Sequence, residues 1–302
     1  MKTVKKIAAI GPVFIIIAAL LWSFDGILRR SLYTLPPAVI VFYEHILGAI
    51  VLLPVLFRKW GELKRMTRRE WIAIMFVGLF SGALGTIFYT AALGMVNYIQ
   101  FSVVVLLQQL QPVWAIGAAA VLLGEKITKG FFKWAAVAIV AAYFITFRDL
   151  RINLVAGGAQ NLAAVLALSA GFMWAVSTSF SKIVLNKVSY WMATILRFWF
   201  APLFAVILVF AQHQQSSLFA VTPVQWLTLL AITFSTGMVA LVIYYYGLRK
   251  TPARVSTICE LAWPASSIFI GYFLYGQTLS ATQLLGVGAL FLSIYHVAKF
   301  RK

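Results

Sequence analysis

Ten apolar runs follow one another along this chain, separated by short polar segments. Each is long enough, or nearly so, to cross a bilayer core of about 30 Å as a helix that rises about 1.5 Å per residue. The runs lie at 11–28, 37–57, 71–93, 98–123, 131–147, 161–181, 190–210, 224–248, 253–275 and 281–298. The pattern predicts an all-α membrane protein of ten transmembrane helices, with too little chain left over for a soluble domain.

The composition agrees with this prediction. Of the 302 residues, 63% are hydrophobic and only 11% are charged, whereas about a quarter of the residues in a soluble domain are charged. The first run resembles a signal peptide because lysines precede it. No small-residue cleavage site follows it, and Trp22 and Asp25 lie near its end. We therefore expect an uncleaved first helix.

The positive charge is distributed unevenly between alternate loops. Of the 25 lysines and arginines, 20 lie in the two tails and in the loops on the same side as the N-terminus. The opposite loops hold Arg29, Arg30, Arg148 and Arg151. This positive-inside pattern predicts a multi-pass protein of the cytoplasmic membrane with both termini in the cytoplasm. It also explains the net charge of +18 without nucleic acid, because the basic residues are spread over several short segments.

The two halves of the chain resemble each other in three stretches. Residues 20–30 match 172–182, residues 70–94 match 225–249, and residues 108–128 match 260–280. The matches place Trp22 on Trp174, Tyr89 on Tyr244, His45 on Arg197, Gln108 on Glu260 and Pro112 on Pro264. The alternative, a similarity common to all apolar low-complexity sequence, does not explain why these features coincide in one register.

The repeat predicts the domain organisation. Residues 1–150 and 151–302 each hold five predicted spans, and an odd number makes the second half enter the membrane from the opposite side. We therefore expect two inverted repeats that form one structural unit. Such repeats are typical of secondary transporters, in which one site opens alternately to each side.

These motifs resemble the EamA repeats of the drug/metabolite transporter superfamily. The resemblance lies in the Trp near the start of each half with a basic residue eight positions on, and in the proline followed twelve positions on by Gly124-Glu125. It implies helices 1–4 and 6–9 around a central cavity, helices 5 and 10 at the periphery, and commonly proton-coupled, outward transport of small molecules. Gly276-Gln277 departs from the Gly-Glu pattern in the second half.

Ionisable residues inside the spans are costly and are therefore candidates for function. Asp25, Glu44 and His45 lie towards the predicted outer side. Glu44 and His45 could form a proton-accepting pair; alternatively His45 only bonds a neighbouring helix and Glu44 reaches the interface. Asp25 could bind substrate or simply pair with Arg29 one turn later.

Arg197 and Glu260 lie at similar depth, each about seven residues in from the predicted cytoplasmic side, or roughly 10 Å. They could hold a substrate carboxylate and a substrate amine or proton, respectively, and so respond to substrate. Alternatively they form a fixed salt bridge that serves structure only.

Aromatic side chains of both halves could line a cavity for an aromatic or cationic substrate. The candidates are Trp174, Trp263, Tyr89 and Tyr244, together with Trp22. The alternative is ordinary packing or an interfacial belt.

Amides lie beside the prolines in the two matching helices. A proline inside a helix frees the carbonyl four residues earlier, which belongs to Gln108 for Pro112 and to Glu260 for Pro264. We expect these helix breaks to serve gating, and Gln108, Gln111 and Glu260 to face a central cavity, since lipid satisfies none of these groups. The alternative is a packing kink in which the amides hold neighbouring helices together.

The chain is thus predicted to be a secondary active transporter and no enzyme. HExxH, Gly-x-Ser-x-Gly and Walker A patterns are absent, no cofactor or metal is expected, and the single Cys259 excludes an internal disulfide. The expected partners are protons, lipid and a small substrate such as an amino acid or related zwitterion. The variant Arg197→Gln tests this substrate class, because it should abolish transport of a zwitterion or anion but spare that of a cation. The alternatives are an exporter of cationic drugs or amines and a non-transporting membrane sensor or structural protein.

Overall fold

Helices account for the architecture in the computed structural model, which describes residues 2–95, 97–111, 113–114, 129–150, 157–251 and 259–299. Within these residues there is no strand. In chain order the helices are α1 (Lys2–Ser31), α2 (Pro37–Val51, then Leu53–Arg58), α3 (Arg68–Phe76, Val77–Leu84 and Gly85–Gly94), α4 (Phe101–Gln108), α5 (Lys129–Thr146), α6 (Gly157–Leu185), α7 (Tyr190–Ala211), α8 (Pro223–Ile232, Thr233–Gly237 and Met238–Lys250), α9 (Ala262–Tyr275) and α10 (Ala281–Lys299).

A helical segment lies at each of the ten predicted spans, so the predicted fold class is confirmed. By length and apolar composition, five helices are able to cross a membrane: Gly11–Ser31, Arg68–Gly94, Gly158–Leu185, Tyr190–Ala211 and Pro223–Leu248. Shorter apolar helices lie at Pro37–Val51, Phe132–Thr146 and Ala281–His296. The end of helix α1 differs from prediction. Helix α1 continues to Ser31, so that Arg29 and Arg30 belong to the helix and not to an outer loop.

The helices are interrupted at matching places in the two halves. Helix α3 widens to a π-helix over Val77–Leu84, and α8 does the same over Thr233–Gly237. Turns at 109–110 and 260–261 precede the matching prolines. Such π segments release carbonyl groups from the regular ladder and are frequent at functional sites. The interruptions therefore mark where the backbone itself can contribute polar groups.

Helices of the first half pack on helices of the second. The contacting pairs are α1 with α8, α1 with α9, α2 with α7, α2 with α8, α3 with α6, α3 with α7, α4 with α6, α4 with α9, and α5 with α10. Close approach needs small residues. At Gly171 in α6, a β-carbon would lie 2.8 Å from the main-chain oxygen of Gln108. The absence of a side chain there allows α6 to lie directly against the end of α4.

The Gly276-Gln277 motif ends one helix and begins another. Gly276 adopts a left-handed conformation with φ of 59° just after α9, where an L side chain would be strained. The Oε1 of Gln277 then accepts a hydrogen bond of 3.0 Å from the backbone N–H of Phe101, the first residue of α4. The motif thus caps a helix of the other half. Glu125, its counterpart, lies outside the described residues.

A carboxylate joins the two halves outside the membrane. Glu62, in the segment between α2 and α3, accepts a 2.6 Å hydrogen bond from the backbone N–H of Ser189, which precedes α7. Its other oxygen accepts one of 3.2 Å from Lys59. Partial burial raises the pKa of Glu62, but the bonds from Ser189 and Lys59 outweigh burial, so this pKa lies below its ordinary value of 4.5. The ionised carboxylate is therefore the form that stabilises the fold.

We expect Glu62→Gln to lower the free energy of unfolding by about 1–2 kcal/mol at neutral pH, because a charge-assisted hydrogen bond is lost. A lowered folded-state pKa contributes stability that is complete above the ordinary value and is lost as the pH falls through the lower value. The two proteins should therefore become equally stable in acid. Thermal unfolding in detergent, followed from neutral to acidic pH, measures the difference in stability between the two proteins. Lys59→Gln, which removes only the more exposed partner, should cost less than about 1 kcal/mol. A Glu62→Gln difference that persists unchanged into acid would contradict this account.

Candidate functional site

A central cavity lies between the two halves. Its empty volume, including the open mouth, is about 970 Å³, at the upper end of the roughly 300–1,000 Å³ of small-molecule sites. It is lined by Trp22, Asp25, Arg29, Glu44, His45, Ser81, Thr86, Tyr89, Gln111, Trp174, Ser177, Thr178, Ser181, Arg197, Phe198, Thr236, Gly237, Leu241, Tyr244, Tyr245, Leu248, Glu260 and Trp263. Helices α1, α2, α3, α6, α7, α8 and α9 all contribute to it, together with the segments around Gln111 and Glu260.

Aromatic rings of both halves form one wall. The ring of Trp263 has its centroid 6.0 Å from each of the rings of Trp22, Tyr89 and Trp174. Trp22 also lies 5.0 Å from Tyr244. These distances fall in the range at which aromatic pairs attract one another. Trp263 is therefore the centre of a cluster that joins α1, α3 and α6 to the start of α9.

Ion pairs close the other wall, towards the predicted outer side. The Nε of Arg29 lies 2.5 Å from Oδ2 of Asp25, and its Nη2 lies 2.6 Å from Oε2 of Glu44. The hydroxyl of Thr236 in α8 donates to Oδ1 of Asp25 at 2.6 Å. All four side chains are buried. One guanidinium thus binds two carboxylates, and the network ties α1 and α2 of the first half to α8 of the second.

His45 lies beside this network. Its Nδ1 is 2.9 Å from the carbonyl oxygen of Val41, and because a carbonyl only accepts, Nδ1 carries the proton. The imidazole stacks near Phe198, with ring centroids 4.8 Å apart. Nε2 is left as the nitrogen that can take up a proton. The alternative in which Glu44 reaches the outer interface is wrong, because Glu44 is only 3% exposed and binds Arg29.

The π segment of α3 supplies a shared acceptor. The carbonyl oxygen of Ser81 accepts hydrogen bonds from the side chains of Thr86 at 2.9 Å, Trp174 at 3.2 Å and Arg197 at 3.4 Å. Ser81 lies in the π segment, where backbone hydrogen bonds follow the i→i+5 spacing in place of the α-helical one. This carbonyl therefore holds both Trp174 and Arg197 in position against the cavity.

Arg197 and Glu260 both line the cavity but do not bind each other. Among the described residues, Arg197 forms no ion pair within 4.0 Å. The Oε1 of Glu260 accepts a hydrogen bond of 2.9 Å from the hydroxyl of Tyr244. A fixed Arg197–Glu260 salt bridge is therefore not present in this conformation.

The prediction that a proline leaves the carbonyl four residues earlier without a partner is wrong for Pro264. The carbonyl oxygen of Glu260 accepts a 3.0 Å hydrogen bond from the backbone N–H of Trp263, so it is not left free. The reason is that Pro264 lies in the first turn of α9, where backbone N–H groups have no partner within the helix. Pro112 lies outside the described residues.

The side-chain amides of Gln111 and Gln108 lie in different surroundings in the structure. Gln111 lines the cavity. Gln108 is not among the lining residues and is completely buried, and neither polar atom of its amide has a hydrogen-bond partner among the described residues. The close contact of Gly171 with its backbone places Gln108 between helices. The prediction that the side chains of Gln108 and Gln111 face the cavity is wrong for Gln108.

Several polar atoms around the cavity lack hydrogen-bond partners in the part of the chain that is described. They are the hydroxyls of Tyr89 and Ser177, Nε of Arg197 and Nε1 of Trp263. Each carries a hydrogen and can donate. Unpaired buried donors are costly and rare in folded proteins, so their concentration around one cavity points to a ligand that offers acceptors.

The structure brings most of the predicted site residues together around this one cavity: Asp25, Glu44, His45, Tyr89, Gln111, Trp174, Arg197, Tyr244, Glu260 and Trp263 all line it. Sequence reasoning missed Arg29, Thr236 and Ser177 as cavity residues. The spacing of Arg29 to Asp25 was a usable signal, whereas nothing in the sequence distinguished the two hydroxyl residues. Among the described residues, no three His, Cys, Asp or Glu side chains are grouped as metal ligands.

Comparison with known proteins assigns the family. The model of the EamA-like transporter family matches residues 9–147 and again residues 161–298. The chain is 32% identical over 292 residues to the riboflavin transporter ImpX of Fusobacterium nucleatum, covering 96% of this chain and 97% of that protein. It is 22% identical over 283 residues to an uncharacterized transporter of Clostridium kluyveri, covering 92% and 89% of the two chains.

A solved crystal structure shares the fold. It has 16% sequence identity to this chain and superposes with a TM-score of 0.58, covering 96% of each chain. At this identity the likeness concerns the fold alone. Together with the apolar helices, the two family matches establish a multi-pass membrane protein and indicate a transporter, not an enzyme. The chain belongs to the EamA-like transporter family, of the drug/metabolite transporter type.

Proposed function

We propose that this transporter carries a flat, acceptor-rich aromatic metabolite of the riboflavin type by alternating access between its two halves. The observation that carries the proposal is the combination of the Trp263 aromatic cluster with unpartnered donors around one cavity. Riboflavin has a planar three-ring system that carries two carbonyl oxygens, together with a hydroxylated chain. Its rings suit the aromatic wall, and its carbonyls suit donors such as Nε of Arg197 and Nε1 of Trp263. The riboflavin transporter that is 32% identical to this chain supports the same class.

An amino acid or related zwitterion is the second candidate substrate. It is favoured by Arg197 and Glu260, which line one cavity with opposite charges and do not bind each other. Arg197 could hold a carboxylate and Glu260 an amine. A cationic drug or amine has weaker support, because the carboxylates of Asp25 and Glu44 are already bound by Arg29.

The proposal includes proton coupling and the outward direction that the family resemblance implies. Lining residues such as Ser181 and Leu248 lie near the ends of α6 and α8 that are predicted to be cytoplasmic. At the predicted outer side, the Arg29 network ties the halves together. This arrangement supports loading from the cytoplasm, with the outer side closed in this conformation.

Counterflow in proteoliposomes tests the substrate class. Vesicles containing the purified protein are loaded with unlabelled riboflavin, and labelled riboflavin is added outside at trace concentration. We expect transient accumulation of label, and no accumulation when amino acids or quaternary amines replace riboflavin on both sides. Accumulation of an amino acid without riboflavin would favour the second candidate and overturn the first. In that case Arg197→Gln should abolish transport of the zwitterion, whereas transport of a cation would survive it. Absence of exchange for every compound tested would overturn the riboflavin assignment and favour the non-transporting alternative, a sensor or structural protein.

A further inference from the structure

The buried network at the outer end of the cavity holds more negative than positive charge. Asp25 and Glu44 carry two negative charges when both are ionised, against the single positive charge of Arg29. Their side chains are at most 9% exposed. An excess charge is costly in a buried environment of low dielectric constant. The network therefore favours a state in which it has taken up one positive charge.

The hydrogen bonds identify the atom that can take it up. Three of the four carboxylate oxygens accept hydrogen bonds: Oδ1 of Asp25 from Thr236, and Oδ2 of Asp25 and Oε2 of Glu44 from Arg29. Among the described residues, Oε1 of Glu44 accepts none, and it lies against Gly237 of α8, where a β-carbon would approach it to 2.8 Å. A metal cation such as sodium would be repelled by the guanidinium of Arg29, which already lies between the two carboxylates. A proton needs only one oxygen, and Oε1 of Glu44 can accept it.

The surrounding groups allow a proton to arrive from the cavity. His45, the next residue, lines the cavity and has Nε2 available as a proton acceptor, while its Nδ1 lies 3.8 Å from Oε2 of Glu44. The other ionisable groups that face the cavity near the network are Tyr89 of α3 and Arg197 of α7. The positive charge of Arg197 works against proton uptake, so we expect this site to take up one proton and not two.

We propose that Glu44 is the binding site of the coupling proton and that its protonation loosens α2 from α1 at the outer end of the cavity. In the ionised state Glu44 binds Arg29 at 2.6 Å, and the carbonyl oxygen of Glu44 accepts a hydrogen bond of 3.3 Å from Thr233 of α8. The proton adds to Oε1, the carboxylate loses its charge, and the attraction to Arg29 is weakened. Arg29 then keeps Asp25 as its partner. Helix α2 is thereby freed from α1 within the first half, while the bond from Thr236 to Asp25 still ties α1 to α8.

The test compares transport driven by a pH gradient with counterflow, and it rests on the proposed function for its substrate and for proton coupling. In proteoliposomes with the membrane potential clamped at zero, a pH difference of one unit should drive riboflavin to about a 10-fold concentration ratio if one proton moves with each molecule. The side on which riboflavin accumulates distinguishes exchange from co-transport. For Glu44→Gln, we expect the pH-driven concentration ratio to fall by up to about 10-fold, to no accumulation, while counterflow persists.

Controls separate this proposal from the substrate proposal. Glu62→Gln, outside the cavity, should keep the parental ratio. Counterflow that fails in the parent protein overturns the substrate assignment and leaves the proton site to a spectroscopic test. In infrared difference spectra between acid and neutral pH, one component of the protonated-carboxyl band should be lost in Glu44→Gln and kept in Asp25→Asn. A carboxyl band that is unchanged in Glu44→Gln, or accumulation driven by sodium instead of pH, would overturn the proposal.

Discussion

The Arg29→Met variant is expected to lose about 3–5 kcal/mol of folding free energy, the typical cost of removing one partner from a buried ion pair. Arg29 is 4% exposed and binds Asp25 at 2.5 Å and Glu44 at 2.6 Å. Methionine keeps much of the length and apolar stem of the side chain. The loss therefore arises from two buried carboxylates that no longer face a cation. Thermal and denaturant unfolding in one detergent measures it.

Two further variants isolate this cause. Arg30→Met changes the neighbouring arginine, whose guanidinium lies 4.6 Å over the ring of Tyr275, and should cost no more than about 1 kcal/mol. Adding Asp25→Asn and Glu44→Gln to Arg29→Met removes the uncompensated charges. This triple variant should recover most of the lost stability. If Arg29→Met is as stable as the parent, or if the triple variant is less stable still, the network does not stabilise the fold through its charges.

The helices could be predicted because lipid leaves a chain few choices. An apolar run must satisfy its backbone within a helix when it crosses the hydrocarbon core, so the ten runs corresponded to ten helical segments. The error at the end of α1 has a physical cause. Arg29 lowers the local hydropathy and was assigned to a loop, yet its charge is balanced inside the protein by Asp25 and Glu44. Hydropathy does not register a partner that lies in another helix.

The grouping of site residues was partly accessible from the repeat. Trp22 and Trp174 occupy matching positions, and both line the cavity. The pairing of Asp25 with Arg29 follows from helical spacing alone. The bond from Arg197 to the carbonyl of Ser81 could not be predicted, because it depends on the position of this oxygen in a π segment. Nor could the position of Gln108, which follows from the contact that Gly171 permits.

Replacing Trp263 should have the largest effect on substrate affinity. In Trp263→Leu the side chain no longer stacks, and its three aromatic neighbours, each 6.0 Å away, lose a ring contact. Stacking between an aromatic side chain and a planar heterocycle is worth about 1–3 kcal/mol. We therefore expect the Kd for riboflavin to rise about 5- to 150-fold. Equilibrium binding of labelled riboflavin to the folded, detergent-solubilised protein measures this change.

The variant Trp263→Phe distinguishes the contribution of the aromatic ring from that of the Nε1–H donor. Phenylalanine keeps an aromatic face but lacks Nε1–H, which has no partner in the described structure and is available to a substrate carbonyl. A neutral hydrogen bond contributes about 0.5–1.5 kcal/mol, so the Kd should rise about 2- to 10-fold, less than in Trp263→Leu. Trp134→Leu is the matched control, because Trp134 stacks on His296 at 4.0 Å between α5 and α10 and does not line the cavity. Unchanged affinity in Trp263→Leu, or an equal loss in Trp134→Leu, would show that the aromatic cluster packs the helices and does not bind the substrate.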